Sequence, residues 1–149
     1  WFAWEQDGWP SWSVLHHANT FWQFRHLPNV HFVHYADLVA DLDGGMRRIA
    51  EVLGITVDPV LWPALVEAAT FKSMRGNADR LAPGADRGAW HDNARFFNKG
   101  TSGQWRGQLD EEDLALYART MAERVPPALA KWLEEGGPIG GQGEVGSAA

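Results

Sequence analysis

The sequence predicts an α/β fold of which this chain holds a mainly helical, C-terminal part. Several segments have the apolar spacing of amphipathic helices, whereas only residues 29–35 alternate as a β-strand does. Both faces of that strand carry apolar side chains, which is typical of a strand covered on both sides. One strand does not make a sheet. We therefore expect its neighbours to come from another part of a larger domain or from a partner.

The first predicted helix covers residues 12–25 and follows Ser11, whose side chain can cap it. Residues at helical spacing form its inner face, namely Trp12, Leu15, Ala18, Asn19 and Trp22. His16 and His17 are adjacent, so on a helix their side chains diverge by roughly 100° and cannot converge on one metal ion. We expect the pair to serve packing or a substrate pocket.

The second predicted helix begins at Asp41 or Asp43, either of which can cap it. It runs to about Leu53, and Gly54 is a suitable residue just beyond its end. Its apolar stripe is expected to consist of Met46, Ile49, Ala50 and Leu53.

The third predicted helix starts with the pair Asp58 and Pro59 and extends to about Ala69. Its apolar positions are expected to be Leu61, Leu65 and Ala68. Residues 70–108 then look long and irregular. A loop of that length in a compact domain is usually functional or disordered, and its five aromatic residues argue against plain disorder.

The last major helix is predicted to follow Asp110, with an apolar stripe of Leu114, Tyr117, Met121 and Val125. Pro126 and Pro127 interrupt it, and residues 128–134 form a short second piece. We therefore assign residues 1–135 to one domain and predict that residues 136–149 are a disordered glycine-rich tail.

Composition excludes several classes of function. The 149 residues include no cysteine, which rules out a disulfide framework, a thiolate zinc site and a cysteine nucleophile. No apolar run approaches the roughly 20 residues of a membrane span. The start at Trp1 lacks the features of a signal peptide. A net charge of −6 argues against general nucleic-acid binding, and a cytoplasmic protein is expected.

Residues 71–107 are basic although the chain as a whole is acidic. They contain seven lysine and arginine residues against three aspartates, a local net charge of +4. A confined basic segment in an acidic protein indicates an anion site more than a broad surface for nucleic acid. Chance clustering in a solvated loop is the alternative.

The most informative part of this basic segment is residues 95–105, which are rich in loop-forming glycine, asparagine and hydroxyl residues. They also include Phe96 and Phe97, whose exposure to water would be costly. Aromatic faces, the charge of Lys99 and the small Gly100 together suit a loop that closes over a flat anionic ligand. A surface loop pinned by aromatic plugs is the other interpretation.

Residue types alone assign no catalytic motif. The chain lacks the G-x-x-x-x-G-K-[ST] phosphate loop, the H-E-x-x-H zinc motif and the G-x-S-x-G nucleophile elbow. Candidate acids and bases are present, but no spacing assigns a role to them: His16, His17, His31, His34 and His91. The catalytic residues therefore stay unknown.

Four segments of the chain resemble those of the PAPS-dependent sulfotransferases. Residues 35–38 (YADL) resemble the family's Tyr-Glu-Asp-Leu segment, and residues 46–54 (MRRIAEVLG) resemble the helix after it. Residues 70–74 (TFKSM) resemble its Ser-Phe-x-x-Met segment. Residues 96–105 (FFNKGTSGQW) resemble its Phe-x-Arg-Lys-Gly-x-x-Gly-x-Trp signature. The four occur in the family's order and at plausible spacings.

The resemblance implies a P-loop-like α/β fold in which this chain is the C-terminal helical half and the N-terminal sheet portion is missing. It also implies transfer of a sulfuryl group from 3′-phosphoadenosine 5′-phosphosulfate (PAPS) to a hydroxyl or amine of a small-molecule acceptor, without a metal. Around the adenine it implies Tyr35, Thr70, Phe71 and Met74. It places Phe96, Asn98, Lys99 and Gly100 near the 3′-phosphate. It places His17 near the acceptor.

Two departures from the family pattern bear on function. Asn98 stands where the signature has an arginine, which removes a charged contact worth about 1.5–3 kcal/mol, and Arg95 or Arg106 are the possible substitutes. The family's 5′-phosphosulfate loop and catalytic histidine have no match, so an N-terminal half of the domain is an expected partner. The dimer motif of the vertebrate cytosolic members is not kept, which leaves the oligomeric state open.

Three functions are compatible with these observations. The first is part of a PAPS-dependent sulfotransferase, favoured by the retained Phe71, Lys99 and Gly100. The second is a non-catalytic nucleotide-binding or interaction module derived from that fold, favoured by Asn98 and the missing phosphosulfate loop. The third is a fragment of a related P-loop kinase.

Overall fold

The computed structural model describes residues 13–97 and 99–140, and all regular structure within these ranges is helical. The elements are α1 (Val14–Trp22), α2 (Tyr35–Ala40), α3 (Leu42–Val52), α4 (Trp62–Ala68), α5 (Phe71–Gly76), α6 (Ala78–Leu81), 3-10 turns at Ala85–Arg87 and Asn93–Arg95, α7 (Glu111–Arg124) and α8 (Pro127–Glu135). No helix in these ranges is long and apolar enough to cross a lipid bilayer. Two compact units are present, a first unit of residues 1–37 and 104–149 and a second unit of residues 38–103.

The core of the first unit is made by apolar side chains of α1, α7 and α8. Its buried members are Leu15, Trp22, Met121, Val125 and Leu129. Leu15 and Trp22 lie on the face predicted for the first helix, and Met121 and Val125 on the face predicted for the last major helix. Leu114 of that second face is 38% exposed, so the face is confirmed only in part. The Oγ atom of Ser13 accepts a hydrogen bond from the backbone N–H of His16 at 3.0 Å, so α1 begins later than expected. The predicted cap, Ser11, lies outside the described residues.

Residues 29–35 do not form the predicted strand, because Tyr35 begins α2 and no β-strand occurs among the described residues. Only one of the two faces that were expected to be covered is partly buried, because Val33 and Tyr35 are 48% and 54% exposed. Phe32 and His34 are half-buried and meet Trp132 of α8 edge-on, with ring centroids 5.3 and 5.2 Å apart. A strand requires a partner for its backbone hydrogen bonds. Here the apolar side chains pack on an aromatic core instead.

α7 has the predicted starting point, and α8 starts one residue before the predicted residue 128. Asp110 accepts a hydrogen bond from the backbone N–H of Asp113 at 2.9 Å, and the Asp113 carboxylate accepts one from the N–H of Asp110 at 3.2 Å. This capping box satisfies two backbone donors at the start of α7. α8 begins at Pro127, where a missing N–H costs no hydrogen bond.

The predicted tail is described only in part. Residues 136–140 are described, and Ile139 packs against the core of the first unit. Residues 141–149 lie outside the described residues. The disorder predicted for this segment therefore stays a prediction.

In the second unit, α3 has the predicted limits. Asp41 caps its first turn by accepting a hydrogen bond from the N–H of Gly44 at 2.9 Å. At its end the N–H groups of Gly54 and Ile55 donate to carbonyls of the last turn, at 3.0 and 2.8 Å. These two bonds form a Schellman motif, which ends the helix at Gly54 as expected.

One polar cluster ties α4 to α3. The indole N–H of the buried Trp62 donates to Asp43 at 2.7 Å, and the Nε of Arg47 donates to the same carboxylate at 2.7 Å. The guanidinium carbon of Arg47 also lies 4.6 Å from the centroid of the Trp62 ring. The hydrogen bond from Arg47, followed by that from Trp62, lowers the pKa of Asp43.

The third predicted helix and the loop after it need correction. The Oδ1 atom of Asp58 accepts a hydrogen bond from the N–H of Val60 at 2.9 Å, so this aspartate forms a turn and α4 starts only at Trp62. Leu65 is 42% exposed whereas Trp62 is buried, so the expected apolar face was wrong. Residues 70–108 are also less irregular than predicted, because they contain α5 and α6.

Tyr117 generates a prediction for the pH dependence of stability. Its hydroxyl donates to Glu134 at 3.0 Å, and burial, followed by this hydrogen bond, raises the pKa of Tyr117 from 10.0 to about 12. Because the folded state favours the neutral phenol, its stabilising effect is complete below pH 10 and is lost as the pH rises through about 12. Urea unfolding across this interval should show a smaller loss of stability for Tyr117→Phe than for the wild type. Equal losses of stability in the two proteins would contradict the raised pKa of Tyr117.

Candidate functional site

Phe71 is held at the start of α5 by the cap of that helix. The backbone N–H of Ser73 donates to the Oγ1 atom of Thr70 at 3.2 Å, and the Thr70 hydroxyl donates to the carbonyl of Glu67 at 2.8 Å. Since the hydroxyl donor of Thr70 is already used, this residue acts as the cap that fixes the backbone at Phe71. Met74 follows about one turn later on the same face of α5 and is half-buried.

Four aromatic side chains of the second unit form what we call the aromatic cluster. Ring centroids lie 6.4 Å apart for Phe71 and Phe97, 5.1 Å for Phe97 and Phe96, and 5.3 Å for Phe96 and Trp90. The first two pairs meet edge-on, a preferred geometry for aromatic rings. The indole N–H of Trp90 donates to the carbonyl of Pro83 at 2.8 Å and anchors this end of the cluster. Phe97 thus links the predicted site residues Phe71 and Phe96.

Two members of the aromatic cluster, Trp90 and Phe97, were not among the predicted site residues. The one signal for them in the sequence was the presence of aromatic residues in a region otherwise rich in glycine and polar residues. Trp90 and Phe96 are each 42% exposed. The cluster therefore keeps a face that a flat ligand can reach.

The backbone at Gly100 lies directly against the ring of Phe71. A Cβ atom at Gly100 would lie 2.5 to 2.8 Å from three carbons of that ring. Non-bonded carbon atoms rest at about 3.5–4.0 Å, so a residue with a side chain does not fit. Gly100 also has a φ angle of +63°, a conformation that favours glycine. The predicted segments around Phe71 and Gly100 are thus in direct contact.

The positively charged residues near this contact in sequence differ in their exposure and in their contacts. Lys99, next to Gly100, is exposed and takes no part in the ion pairs found among the described residues. Arg95 ends a 3-10 turn in the same unit and is exposed. Arg106 belongs to the first unit, where its guanidinium carbon lies 5.7 Å from the Trp105 ring. Asn98 lies outside the described residues, so its role stays a prediction.

Tyr35 and His17 belong to the first unit. Tyr35 is the first residue of α2 and is 54% exposed. His17 is exposed on α1, with its ring 4.9 Å from that of Phe21, and Val14 and Phe21 are exposed as well. α1 therefore carries an apolar outer face beside its buried one. Among the described residues no group of three His, Cys, Asp or Glu side chains could hold a metal ion.

Known proteins provide an independent comparison. A family model described as "Sulfotransferase domain" matches residues 7–130 of the chain. The glycolipid sulfotransferase of Mycobacterium bovis (strain BCG / Pasteur 1173P2) is 40% identical over 124 residues, which are 83% of this chain and 38% of that protein. The glycolipid sulfotransferase of Mycobacterium tuberculosis H37Rv gives the same identity and coverage.

A more distant relative is the luciferin sulfotransferase of Photinus pyralis, 26% identical over 105 residues, which are 67% of this chain and 28% of that protein. No solved structure matches the chain significantly. The chain spans 38% of the length of the mycobacterial relatives. The match thus concerns a part of those proteins.

The contact between Gly100 and Phe71 predicts that alanine lowers the free energy of unfolding more at Gly100 than at Gly54. Gly100→Ala adds a methyl group that must displace the Phe71 ring, at about 1–3 kcal/mol, besides the cost of a positive φ. Gly54→Ala is the matched control, because Gly54 has a φ of +64° but nothing within 4 Å of the place its methyl group would occupy. Urea unfolding should show a larger loss of free energy for Gly100→Ala. Equal losses of unfolding free energy in the two variants would contradict a close contact between Gly100 and Phe71.

Proposed function

This chain belongs to the sulfotransferase family, and we propose that it forms the part of a sulfotransferase site that holds the nucleoside and the 3′-phosphate of PAPS. When bound, PAPS supplies the sulfuryl group that passes to a hydroxyl or amine. The residues of this chain would bind and orient that donor and would line part of the acceptor pocket.

The observation that carries this proposal is the contact between Phe71 and Gly100. It sets a flat aromatic side chain beside a backbone that carries no side chain of its own. The Phe71 ring suits stacking on a purine ring. The backbone at Gly100 lets N–H groups approach a phosphate. The adjacent Lys99 is exposed and can supply a positive charge. The residues present therefore fit a 3′-phosphorylated adenine nucleotide.

For the adenine we assign Phe71 and Met74 of the second unit as the side chains that would contact the ring, and Tyr35 of the first unit stays an expectation of the family resemblance. Phe71 meets Phe97 of the aromatic cluster edge-on, and a ring held by such a contact loses little freedom when a ligand stacks on it. The thioether of Met74 is a polarisable surface that suits aromatic ligands. Thr70 would act through its cap, because its hydroxyl donor is engaged with Glu67.

For the 3′-phosphate we assign Lys99, Gly100, Phe96 and Asn98. Lys99 would carry most of the charge, because Asn98 offers an amide where the family's signature has an arginine. Gly100 would contribute its backbone N–H, and Phe96 would shield the phosphate side from water. Charged hydrogen bonds of this kind are worth about 1.5–3 kcal/mol each, so the loss of Lys99 should be measurable.

For the acceptor we assign the exposed apolar face of α1, with His17 at its centre. Val14 and Phe21 provide apolar surface around the imidazole. A hydroxyl attached to an apolar or lipid-linked group suits such a face. Since two relatives with 40% identity are named for glycolipids, we propose a glycolipid hydroxyl as the first acceptor to test.

The assignment covers only one side of the donor. No segment of the 149 residues resembles the family's 5′-phosphosulfate loop, so the chemistry at sulfur is assigned to an N-terminal half that would carry that loop. Asn98 and the lack of the loop also favour a second function, a non-catalytic module that binds the nucleotide. Binding of PAPS without sulfuryl transfer, in the presence of an N-terminal half, would support that second function.

Calorimetric titration tests the nucleotide site. The ligands are 3′-phosphoadenosine 5′-phosphate and its 3′-dephosphorylated form, adenosine 5′-phosphate, and the protein is titrated alone and together with an N-terminal half. Lys99→Ala should weaken binding of the 3′-phosphorylated nucleotide about tenfold or more and leave the other ligand nearly unaffected, since only the former carries the phosphate that Lys99 would contact.

Lys131→Ala is the matched control, because Lys131 is an exposed lysine of α8 paired with Glu135 at 4.0 Å. This substitution removes one lysine charge outside the assigned site, so the affinities for both nucleotides should stay unchanged. Equal weakening of both ligands by Lys99→Ala would remove Lys99 from the phosphate site. If the wild type binds neither nucleotide, alone or together with an N-terminal half, the proposed function is refuted.

A further inference from the structure

One face of the Phe71 ring is covered by the backbone at Gly100. A Cβ atom at Gly100 would lie 2.5, 2.6 and 2.8 Å from Cδ2, Cγ and Cε2 of that ring. Nearly equal distances to three consecutive carbons place this point over the ring face, because a point beside the edge would be clearly closer to one carbon than to both of its neighbours. The hydrogen that Gly100 carries in place of Cβ therefore points at the ring face. A purine that stacks on Phe71 must use the opposite face.

A second contact with the Phe71 ring comes from Phe97, three residues before Gly100. The centroids of the two phenylalanine rings lie 6.4 Å apart, and their planes make an angle of 75°. Phe97 is half-buried and meets Phe96 edge-on as well, with the centroids 5.1 Å apart and an angle of 89° between the planes. The ring of Phe97 is therefore held between two aromatic neighbours, both of which are assigned to the nucleotide.

Hydrogen bonds fix both ends of this chain of aromatic contacts. At one end the side chain of Thr70 caps α5 and fixes the backbone directly before Phe71. At the other end the ring of Phe96 lies 5.3 Å from that of Trp90, whose indole N–H donates to the carbonyl of Pro83 at 2.8 Å. Since both ends are fixed, the aromatic contact between them sets the orientation of the Phe71 ring.

We propose that Phe97 is a positioning residue that holds the ring of Phe71 against Gly100 and so presents the opposite ring face to the purine of the nucleotide. This role rests on the proposed nucleotide site, and all three residues belong to the second unit. Position 97 is a variable position of the family's signature, so the resemblance assigns no role to it. Phe97 acts through the Phe71 ring and does not itself touch the ligand. A ring that is oriented before its ligand arrives loses less freedom on binding.

Calorimetric titration of Phe97→Leu with two nucleotides tests this role, on the protein alone and together with an N-terminal half. The ligands 3′-phosphoadenosine 5′-phosphate and adenosine 5′-phosphate share the adenine and differ in the 3′-phosphate. Because Phe97 would act on the adenine, Phe97→Leu should weaken both ligands to a similar extent, about two- to tenfold. A variant that merely loosened residues 96–100 would also displace Lys99, and it would weaken the 3′-phosphorylated nucleotide more than the other.

Two further variants show whether Phe97 acts through Phe71. In a Phe71→Leu background, Phe97→Leu should have little further effect on either affinity, since the ring that it orients is absent. Trp62→Phe is the stability control, because it removes the 2.7 Å hydrogen bond from the indole to Asp43 in the same unit, outside the aromatic cluster. It should lower the thermal midpoint and leave the affinities for both nucleotides unchanged.

Proton NMR adds a measurement that needs no nucleotide. A nucleus over the face of an aromatic ring is shielded by the ring current, so one Hα of Gly100 should resonate well upfield of the Hα protons of Gly54. Gly54 is the matched reference, because it has a φ of +64° and nothing within 4 Å of its Cβ position. Phe97→Leu should reduce this upfield displacement, because the Phe71 ring is then no longer held over Gly100.

The outcomes separate the role of Phe97 from the nucleotide site itself. If the wild type binds both nucleotides and Phe97→Leu binds them equally well, or loses the same affinity with and without Phe71, the positioning role is overturned and the proposed function stands. An unchanged Gly100 signal in Phe97→Leu overturns the role as well. If the wild type binds neither nucleotide in either setting, the proposed function fails and the role of Phe97 fails with it. Should Phe97→Leu not fold, Phe97→Met, which also lacks an aromatic ring, decides the same question.

Discussion

Close approach of backbone to side chain at two glycines is the constraint on which this structure most depends. In the second unit Gly100 lies against the ring of Phe71, and in the first unit Gly136 lies against His34 and Asp37. At both positions φ is positive, and a methyl group would overlap atoms already present. Each glycine therefore joins two segments that are far apart in sequence. At Gly100 both joined segments resemble segments of the sulfotransferases, and at Gly136 the segment of residues 35–38 does.

The helices were predictable where a local signal coincided with later packing. Asp41 and Asp110 cap helices as expected, and Gly54 ends α3, because each of these residues satisfies backbone groups within one turn of itself. The buried positions Leu15 and Trp22 of α1 and Met121 of α7 were likewise predictable from their period, whereas Leu114, also expected inside, is exposed. α4 was not, because Trp62 is drawn inward by Asp43 and Arg47, which are 19 and 15 residues away in sequence.

The predicted strand shows where a local pattern is insufficient. The apolar residues on both faces predicted a segment covered on both sides, but only the face of Phe32 and His34 is partly buried. The pattern does not provide the neighbouring strand that the backbone needs. Among the described residues the aromatic rings of Trp22 and Trp132 take up the side chains, and Tyr35 begins a helix. The pattern was wrong for secondary structure, and it was right for the burial of only one of the two faces, because Val33 and Tyr35 on the other face are 48% and 54% exposed.

The candidate site was predictable in its parts and less so in its assembly. Resemblance identified Phe71 and Gly100 separately, and their direct contact emerged only from the structure. Phe97 and Trp90 were missed because an aromatic residue in a loop has no period that predicts its partner. The tie between Asp37 and Gly137 spans 100 positions in sequence, beyond the reach of any local pattern.

The most direct test of the proposed nucleotide site is a crystal structure of the protein, combined with an N-terminal half, in complex with 3′-phosphoadenosine 5′-phosphate. We predict adenine in van der Waals contact with Phe71 and the 3′-phosphate within about 3 Å of Lys99 Nζ or the Gly100 N–H. A nucleotide bound with its 3′-phosphate away from residues 96–105 would contradict the proposed site.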